Sequence, residues 1–283
     1  MYSRPTDFTE ALRLVAEPGA RVLAGATDIF PTAGEYPLRG RHVDVTALAP
    51  LRGIRREGEW LRIGGAVTWS EIIKAELPPA FDALRAAGRE IGGVQIQNRG
   101  TIAGNLCNAS PAADGVPPLL ILDAEVELVS AREQRRVPLS EFISGNRHTT
   151  RRADEIMTAV FVRPPPTTAR SSFLKLGARR YLVISIAMVA VLLDVVDGVV
   201  REARVAAGAC SAVAKRLPEV EHRLIGAPAR PGLGNCIGSD HIVAALSPID
   251  DLRGTAEYRR DAALTLVRRA VECCLKAEAG GII

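Results

Sequence analysis

Aromatic residues make up only 4% of this 283-residue chain, and its formal charge of +4 is the small excess of 36 Lys and Arg over 32 Asp and Glu. The basic residues fall in short, scattered clusters such as Arg55-Arg56, Arg151-Arg152 and Arg259-Arg260. A nucleic-acid surface needs a concentrated basic stripe interleaved with stacking rings, so that class is excluded. Cysteine is sparse too: Cys107, Cys210, Cys236, Cys273 and Cys274 form no C-x-x-C and have no histidine at metal-ligand spacing. A zinc or iron–sulfur site within the chain is therefore not expected, and buried thiols of an intracellular protein are.

No apolar run approaches the roughly 20 residues that span a bilayer. The longest, Ile184 to Val196, is too short, and Met1–Asp7 lacks the charged and apolar segments of a secretory leader, so a cytoplasmic chain is expected. Nucleotide and hydrolase motifs are missing as well. Gly232-Leu233-Gly234-Asn235-Cys236-Ile237-Gly238 misses the last glycine of G-x-G-x-x-G by one position and follows Pro228-Ala229-Arg230-Pro231, which is no buried strand. There is no G-x-x-x-x-G-K-[ST], and none of the four histidines stands beside a G-x-S-x-G turn.

What the chain does have is length for two domains and a 47% hydrophobic content that can fill their cores. Its most unusual stretch runs from Gly92 to Asp114, four glycines among small hydroxyl and amide side chains, ending in a carboxylate. Backbone amides in such a stretch can approach an anion closely. A second Gly-containing turn, Gly25-Ala26-Thr27-Asp28-Ile29, follows the apolar strand Arg21-Val22-Leu23-Ala24 directly.

Around these turns the periodicity predicts ordinary elements. Asp7-Phe8-Thr9-Glu10 has the form of a capping box ahead of a helix that Pro18-Gly19 ends, and Thr68 or Ser70 caps another through Ile72-Ile73. Strands are expected at His42–Val45, Leu61–Ile63, Glu125–Leu128 and Glu155–Val162, and a helix from Ala80 to Glu90. Pro164-Pro165-Pro166 marks a boundary, Asp197-Gly198 a hairpin turn. A final helix from about Thr255 to Ala279 carries an apolar stripe through Tyr258, Ala262, Leu266, Ala270 and Cys274, with Val267, Val271 and Leu275 beside it.

Taken together, Leu23-Ala24-Gly25-Ala26-Thr27-Asp28 and Thr101-Ile102-Ala103-Gly104-Asn105, with Ser110-Pro111 and Asp114 after the second, resemble the paired FAD loops of the flavoprotein (medium) subunits of molybdenum hydroxylases. Those subunits serve enzymes such as xanthine dehydrogenase, carbon monoxide dehydrogenase and aromatic-compound hydroxylases. Ile91-Gly92-Gly93, Gln95-Ile96-Gln97-Asn98, Leu122-Asp123-Ala124, Asp154-Glu155-Ile156, Phe173-Leu174-Lys175, Glu221 with Gly226, and Tyr258-Arg259-Arg260 extend the likeness over almost the whole chain. The family usually has Gly-Gly-Thr where this chain has Gly25-Ala26-Thr27, and Ile-Gly-Gly-Asn where it has Ile102-Ala103-Gly104-Asn105. Each added methyl opposes a positive φ and would let its loop shift.

The resemblance implies an α+β protein. Residues 1–168 would form a two-subdomain α/β FAD-binding domain of the vanillyl-alcohol-oxidase or PCMH-like kind, split at about residue 60, and residues 169–283 a smaller α+β domain with an antiparallel sheet and helices. It implies non-covalent FAD, with backbone amides of Gly25, Ala26, Thr27, Asp28, Ala103, Gly104 and Asn105 on the pyrophosphate and the hydroxyls of Thr27 and Thr101 beside them. Val22, Leu23, Ala24, Ile29, Ile102, Asn108 and Ser110 would complete the binding surface. Asp114 would accept from cofactor hydroxyls, Ile156 and Met157 would pack near the rings, and Lys175 would tune the flavin.

By the same resemblance no metal sits in this chain. A partner with molybdopterin would oxidise the organic substrate, and a small partner with 2Fe-2S clusters would relay electrons to the flavin for an external acceptor such as NAD+, oxygen or a quinone. The assembly implied is a dimer of heterotrimers. A stand-alone flavin oxidoreductase, or a structural subunit that has lost FAD, are the alternatives that the residues leave open.

Overall fold

The computed structural model describes residues 1–34, 36 and 39–278. The chain opens with β1 (Tyr2–Ser3), α1 (Phe8–Val15), β2 (Ala20–Leu23), α2 (Ile29–Ala33), β3 (Arg41–Asp44), β4 (Ile54–Glu57), β5 (Trp60–Gly64) and α3 (Trp69–Lys74). Four helices follow, α4 (Asp82–Glu90), α5 (Val94–Gln97), α6 (Ile102–Asn108) and α7 (Val116–Ile121). Then come β6 (Glu125–Val129), β7 (Gln134–Pro138), α8 (Leu139–Phe142), β8 (Ile143–Gly145), β9 (His148–Thr149) and β10 (Ile156–Val162). The remainder is β11 (Arg170–Leu176), β12 (Ala187–Val196), β13 (Val199–Gly208), β14 (Lys215–Arg216), α9 (Pro218–Leu224), α10 (Asp240–Val243) and α11 (Ala256–Glu278).

Two compact units result, and neither is a single run of sequence. The first comprises Met1–Ala75, Gly93–Ala109 and Asp123–Arg163; the second comprises Glu76–Gly92, Ser110–Leu122 and the chain from Pro164 onward.

In the first unit a three-stranded parallel sheet has the order β1-β3-β2, and a five-stranded antiparallel sheet the order β4-β5-β10-β6-β7. Asp7 caps α1 by accepting from the Glu10 amide at 2.8 Å, which lets Ala11, Leu12, Leu14 and Val15 face one core with Val43, Val45, Leu48, Leu51 and Ile156. Thr68 caps α3 in a full capping box: its hydroxyl accepts from the Glu71 amide at 3.3 Å and its amide donates to Glu71 Oε2 at 2.7 Å. The small hairpin β8–β9 turns through Asn146 and Arg147.

The second unit is built on an antiparallel sheet, β11-β12-β13-β14. Asp197 and Gly198 both take left-handed backbone, φ 53° and 70°, as a two-residue hairpin with right-twisted strands requires. Ala187, Val189, Val191 and Leu193, alternate residues of β12, share a core with Ala262, Leu266, Val267, Ala270, Val271 and Cys274 of α11. The expected stripe on this last helix is thus core, with two exceptions: Tyr258 is 48% exposed and Leu275 only partly buried. The expected terminal residue, Ala279, lies outside the described residues.

The stretch from Gly92 to Asp114 is more helical than its glycines suggest, because α5 and α6 occupy much of it. Pro117 and Pro118 sit inside α7, at first-turn positions where an amide would have no helical partner anyway.

Glu155, 1% exposed, stands at the entry to β10 and accepts from Arg135 Nε (2.7 Å) and Nη2 (3.0 Å) and from the Arg152 amide (2.7 Å). Burial pushes its carboxyl up, but the Arg135 fork and the amide outweigh burial and hold it below its ordinary value of 4.5. Its contribution to stability is therefore present above that value and lost as pH falls through the lower folded one. Glu155→Gln should cost about 1–3 kcal/mol at neutral pH and flatten the acid limb of the stability curve, both measured by urea unfolding across pH.

Candidate functional site

In the first unit β2 delivers the chain at Leu23 to the turn Ala24–Asp28 that opens α2. Among the described residues the amides of Gly25, Ala26, Thr27 and Asp28 have no protein acceptor, and the Thr27 hydroxyl makes no protein hydrogen bond. Ala26 has φ 58°, the left-handed conformation that favours glycine. The methyl is carried in that conformation at a cost of about 1 kcal/mol of backbone strain. Successive unpaired amides around a left-handed residue make a concave site for an anion.

The two turns paired in the sequence analysis touch. A Cβ added to Gly25 would lie 1.8 Å from the Arg99 carbonyl oxygen and 2.9 Å from Gly100 Cα, so only glycine fits there. Thr27 Oγ1 lies 3.6 Å from the position of a Gly100 Cβ. Val22 and Ala24 pack against the core of the first unit, Leu23 is buried, and Ile29 begins α2.

The second turn behaves otherwise than expected. The Ile102 amide donates to Val67 O (3.0 Å), Ala103 to Gly65 O (3.2 Å), Gly104 to Thr101 Oγ1 (3.1 Å) and Asn105 to Thr101 O (3.0 Å). The amides of Ala103, Gly104 and Asn105 are therefore already committed within the protein, and Thr101 is the helix cap of α6. A Cβ on Gly104 would meet Thr101 Oγ1 at 2.9 Å, so this glycine protects the cap. Ala103 is helical and its methyl is free of strain. Asn105 Oδ1 is buried without a donor.

Asn108 and Asp28 are joined by a residue that sequence reasoning missed. Arg147 Nη1 donates to Asn108 Oδ1 at 2.6 Å and to Asp28 Oδ2 at 3.1 Å. An arginine in a two-residue hairpin turn belongs to no motif, and no local signal marks it. Arg147, Arg21, Arg39 and Tyr36 line, with Asp28, Ile29 and Thr32, a cavity of about 760 Å³.

Ile156 and Met157 are corrected too: 1% and 4% exposed, their side chains are core of the first unit, and Ile156 packs with α1. Neither presents a surface for a ring.

In the second unit Asp114 and Lys175 bind each other. Lys175 Nζ donates to Asp114 Oδ2 at 2.6 Å and to Glu90 O at 3.3 Å, and Ser185 Oγ donates to Asp114 Oδ1 at 2.5 Å. Both ionic side chains are nearly buried, at 7% and 6% exposure. Burial pushes the Asp114 carboxyl above its usual range, opposed by the Lys175 charge and the two hydrogen bonds. Both Asp114 oxygens thus already take one bond within the second unit. Ser110 Oγ accepts from the Ala112 amide at 3.3 Å, closing a local turn.

Residues 1–165 match the family of the FAD binding domain in molybdopterin dehydrogenase, and residues 172–274 the CO dehydrogenase flavoprotein C-terminal domain. The chain belongs to the molybdopterin dehydrogenase FAD-binding family. The xanthine dehydrogenase FAD-binding subunit of Escherichia coli O157:H7 is 32% identical over 284 residues, covering 99% of this chain and 97% of that one. The carbon monoxide dehydrogenase medium chain of Afipia carboxidovorans is 30% identical over 276 residues, covering 96% and 95%. A chain of the reconstituted CO dehydrogenase from Oligotropha carboxidovorans superposes with a TM-score of 0.90 at 28% identity, over 97% of each chain.

As a member of this family the chain is an oxidoreductase subunit, with FAD as its cofactor. The first turn fits that group: its unpaired amides suit a pyrophosphate, and Gly25 keeps a cradle that a Cβ would fill. Among the described residues no His, Cys, Asp and Glu cluster could hold a metal, and no helix is long and apolar enough to cross a membrane.

Gly25→Ala should force the two turns apart, lose FAD and lower stability by about 2 kcal/mol or more. Ala26→Gly should stabilise by about 0.5–1 kcal/mol through relief of the left-handed penalty. Flavin content per chain and thermal melting read both; retained flavin in Gly25→Ala would dissociate the site from this turn.

Proposed function

We propose that the chain holds FAD by the amides of Gly25, Ala26, Thr27 and Asp28, and carries electrons between the iron–sulfur clusters of a partner and an external acceptor such as NAD+, oxygen or a quinone. The observation that carries the reading is the run of unpaired amides packed against Arg99 and Gly100. The Thr27 hydroxyl would add a donor, and Asn105 and Asn108 would offer amide groups. Bound FAD would supply the exchange between one-electron and two-electron steps.

The residues of the chain would orient the cofactor and set its surroundings. Lys175 would act in the second unit as the positive half of its pair with Asp114, the charge through which the flavin is tuned. Residues 1–168 would be the cofactor domain, in subdomains of about 1–60 and 61–168, and residues 169–283 a smaller C-terminal α+β domain. The partners would be a large molybdopterin subunit and a small 2Fe-2S subunit, in a dimer of heterotrimers in the cytoplasm. Relatives described as a medium chain and as a FAD-binding subunit support that reading.

Attachment of the flavin would be non-covalent. Neither Gly25–Asp28 nor Thr101–Asn105 contains His or Cys, and burial pushes the nearby Cys107 thiol up to about 11, which keeps it protonated and unreactive. The chain isolated from its source should be yellow, release all its flavin on acid precipitation and co-purify with the two partners. A colourless chain with native partners would favour a structural subunit, and a lone yellow chain that oxidises an organic substrate unaided would favour a stand-alone enzyme.

A further inference from the structure

Asp28 poses an electrostatic difficulty for the site just proposed. Its backbone is the last of the four unpaired amides of the first turn, while its side chain is a half-exposed carboxylate, one residue from Thr27. A pyrophosphate brought to those amides meets a like charge, and in the partly wet surroundings of a surface turn such a charge a few ångströms away weakens binding about tenfold.

Arg147 answers that difficulty. Its Nη1 donates to Asp28 Oδ2 at 3.1 Å and to Asn108 Oδ1 at 2.6 Å, and its own amide donates to Ala109 O at 2.8 Å. Both Arg147 and Ala109 take left-handed backbone, φ 56° and 47°. Non-glycine residues hold that conformation only where the surroundings fix it. The hairpin β8–β9 thus places one guanidinium between the first turn and the end of α6.

We propose that Arg147 is a positioning residue for the cofactor: it neutralises the Asp28 carboxylate and turns it away from the anion, so that the amides of the first turn meet a phosphate without repulsion. This rests on the FAD reading above. It is a claim about charge rather than about a contact between Arg147 and the phosphate, and it makes the effect of losing Arg147 depend on whether Asp28 is charged.

The test is a titration with FAD of the full-length chain, stripped of flavin and purified with any subunits that accompany it, alongside Arg147→Gln, Asp28→Asn and the double variant. Melting temperature in each reports folding independently of the ligand. Arg147→Gln should bind FAD about tenfold more weakly, Asp28→Asn about threefold more tightly than wild type, and the double variant should recover at least wild-type affinity. A double variant as weak as Arg147→Gln, or undiminished affinity in Arg147→Gln, would overturn the assignment. Should Arg147→Gln fail to fold, Asp28→Asn alone decides: weaker binding there would mean that the carboxylate helps hold the ligand. Failure of the wild-type chain to bind FAD at all would instead bring down the cofactor reading itself.

Discussion

The approach of Gly25 to the backbone of Arg99 and Gly100 is the constraint on which the candidate site of the first unit depends. The absence of one Cβ lets two segments that are 74 positions apart in sequence share a boundary, with the carbonyl of Arg99 seated where a side chain would start. Among the described residues the amides of Gly25–Asp28 have no protein acceptor and stay available. The second segment spends its amides on Val67, Gly65 and the Thr101 cap of α6. One turn presents donors; the other supplies the wall they are held against.

That division of labour explains the fates of Ala26 and Ala103, which stand where the resemblance leads one to expect glycine. Ala103 lies in a helix, where alanine is the better residue, and its replacement of glycine costs nothing. Ala26 retains a glycine-like φ of 58° despite its methyl, a conformation that costs a non-glycine residue backbone strain. A substitution pattern that looks symmetric in sequence is asymmetric in energy.

Local chemistry was legible in the sequence. The caps Asp7 and Thr68, the Asp197-Gly198 turn, the strand β10 and the stripe of α11 each follow from a short pattern of side chains. The family and its cofactor were legible from the order of motifs along the chain. What was not legible depends on partners far away in sequence. The amides of Ala103 and Gly104 could not be known to be occupied without Gly65 and Thr101 in place. Asp114 looked like an acceptor because Lys175 and Ser185 are 61 and 71 positions distant. Ile156 and Met157 looked like a ring-binding edge, yet both belong to the core. Arg147 carried no pattern at all.

The central claim is that the first turn, and not the start of α6, supplies the amides that meet the cofactor. Hydrogen–deuterium exchange of the chain with and without FAD tests it most directly, because an amide slows only when it gains an acceptor or loses solvent. The account predicts that FAD slows exchange at Gly25–Asp28 by about tenfold or more and leaves Ile102–Asn105, already bonded, nearly unchanged. Protection gained at Ile102–Asn105 with none at Gly25–Asp28 would contradict it.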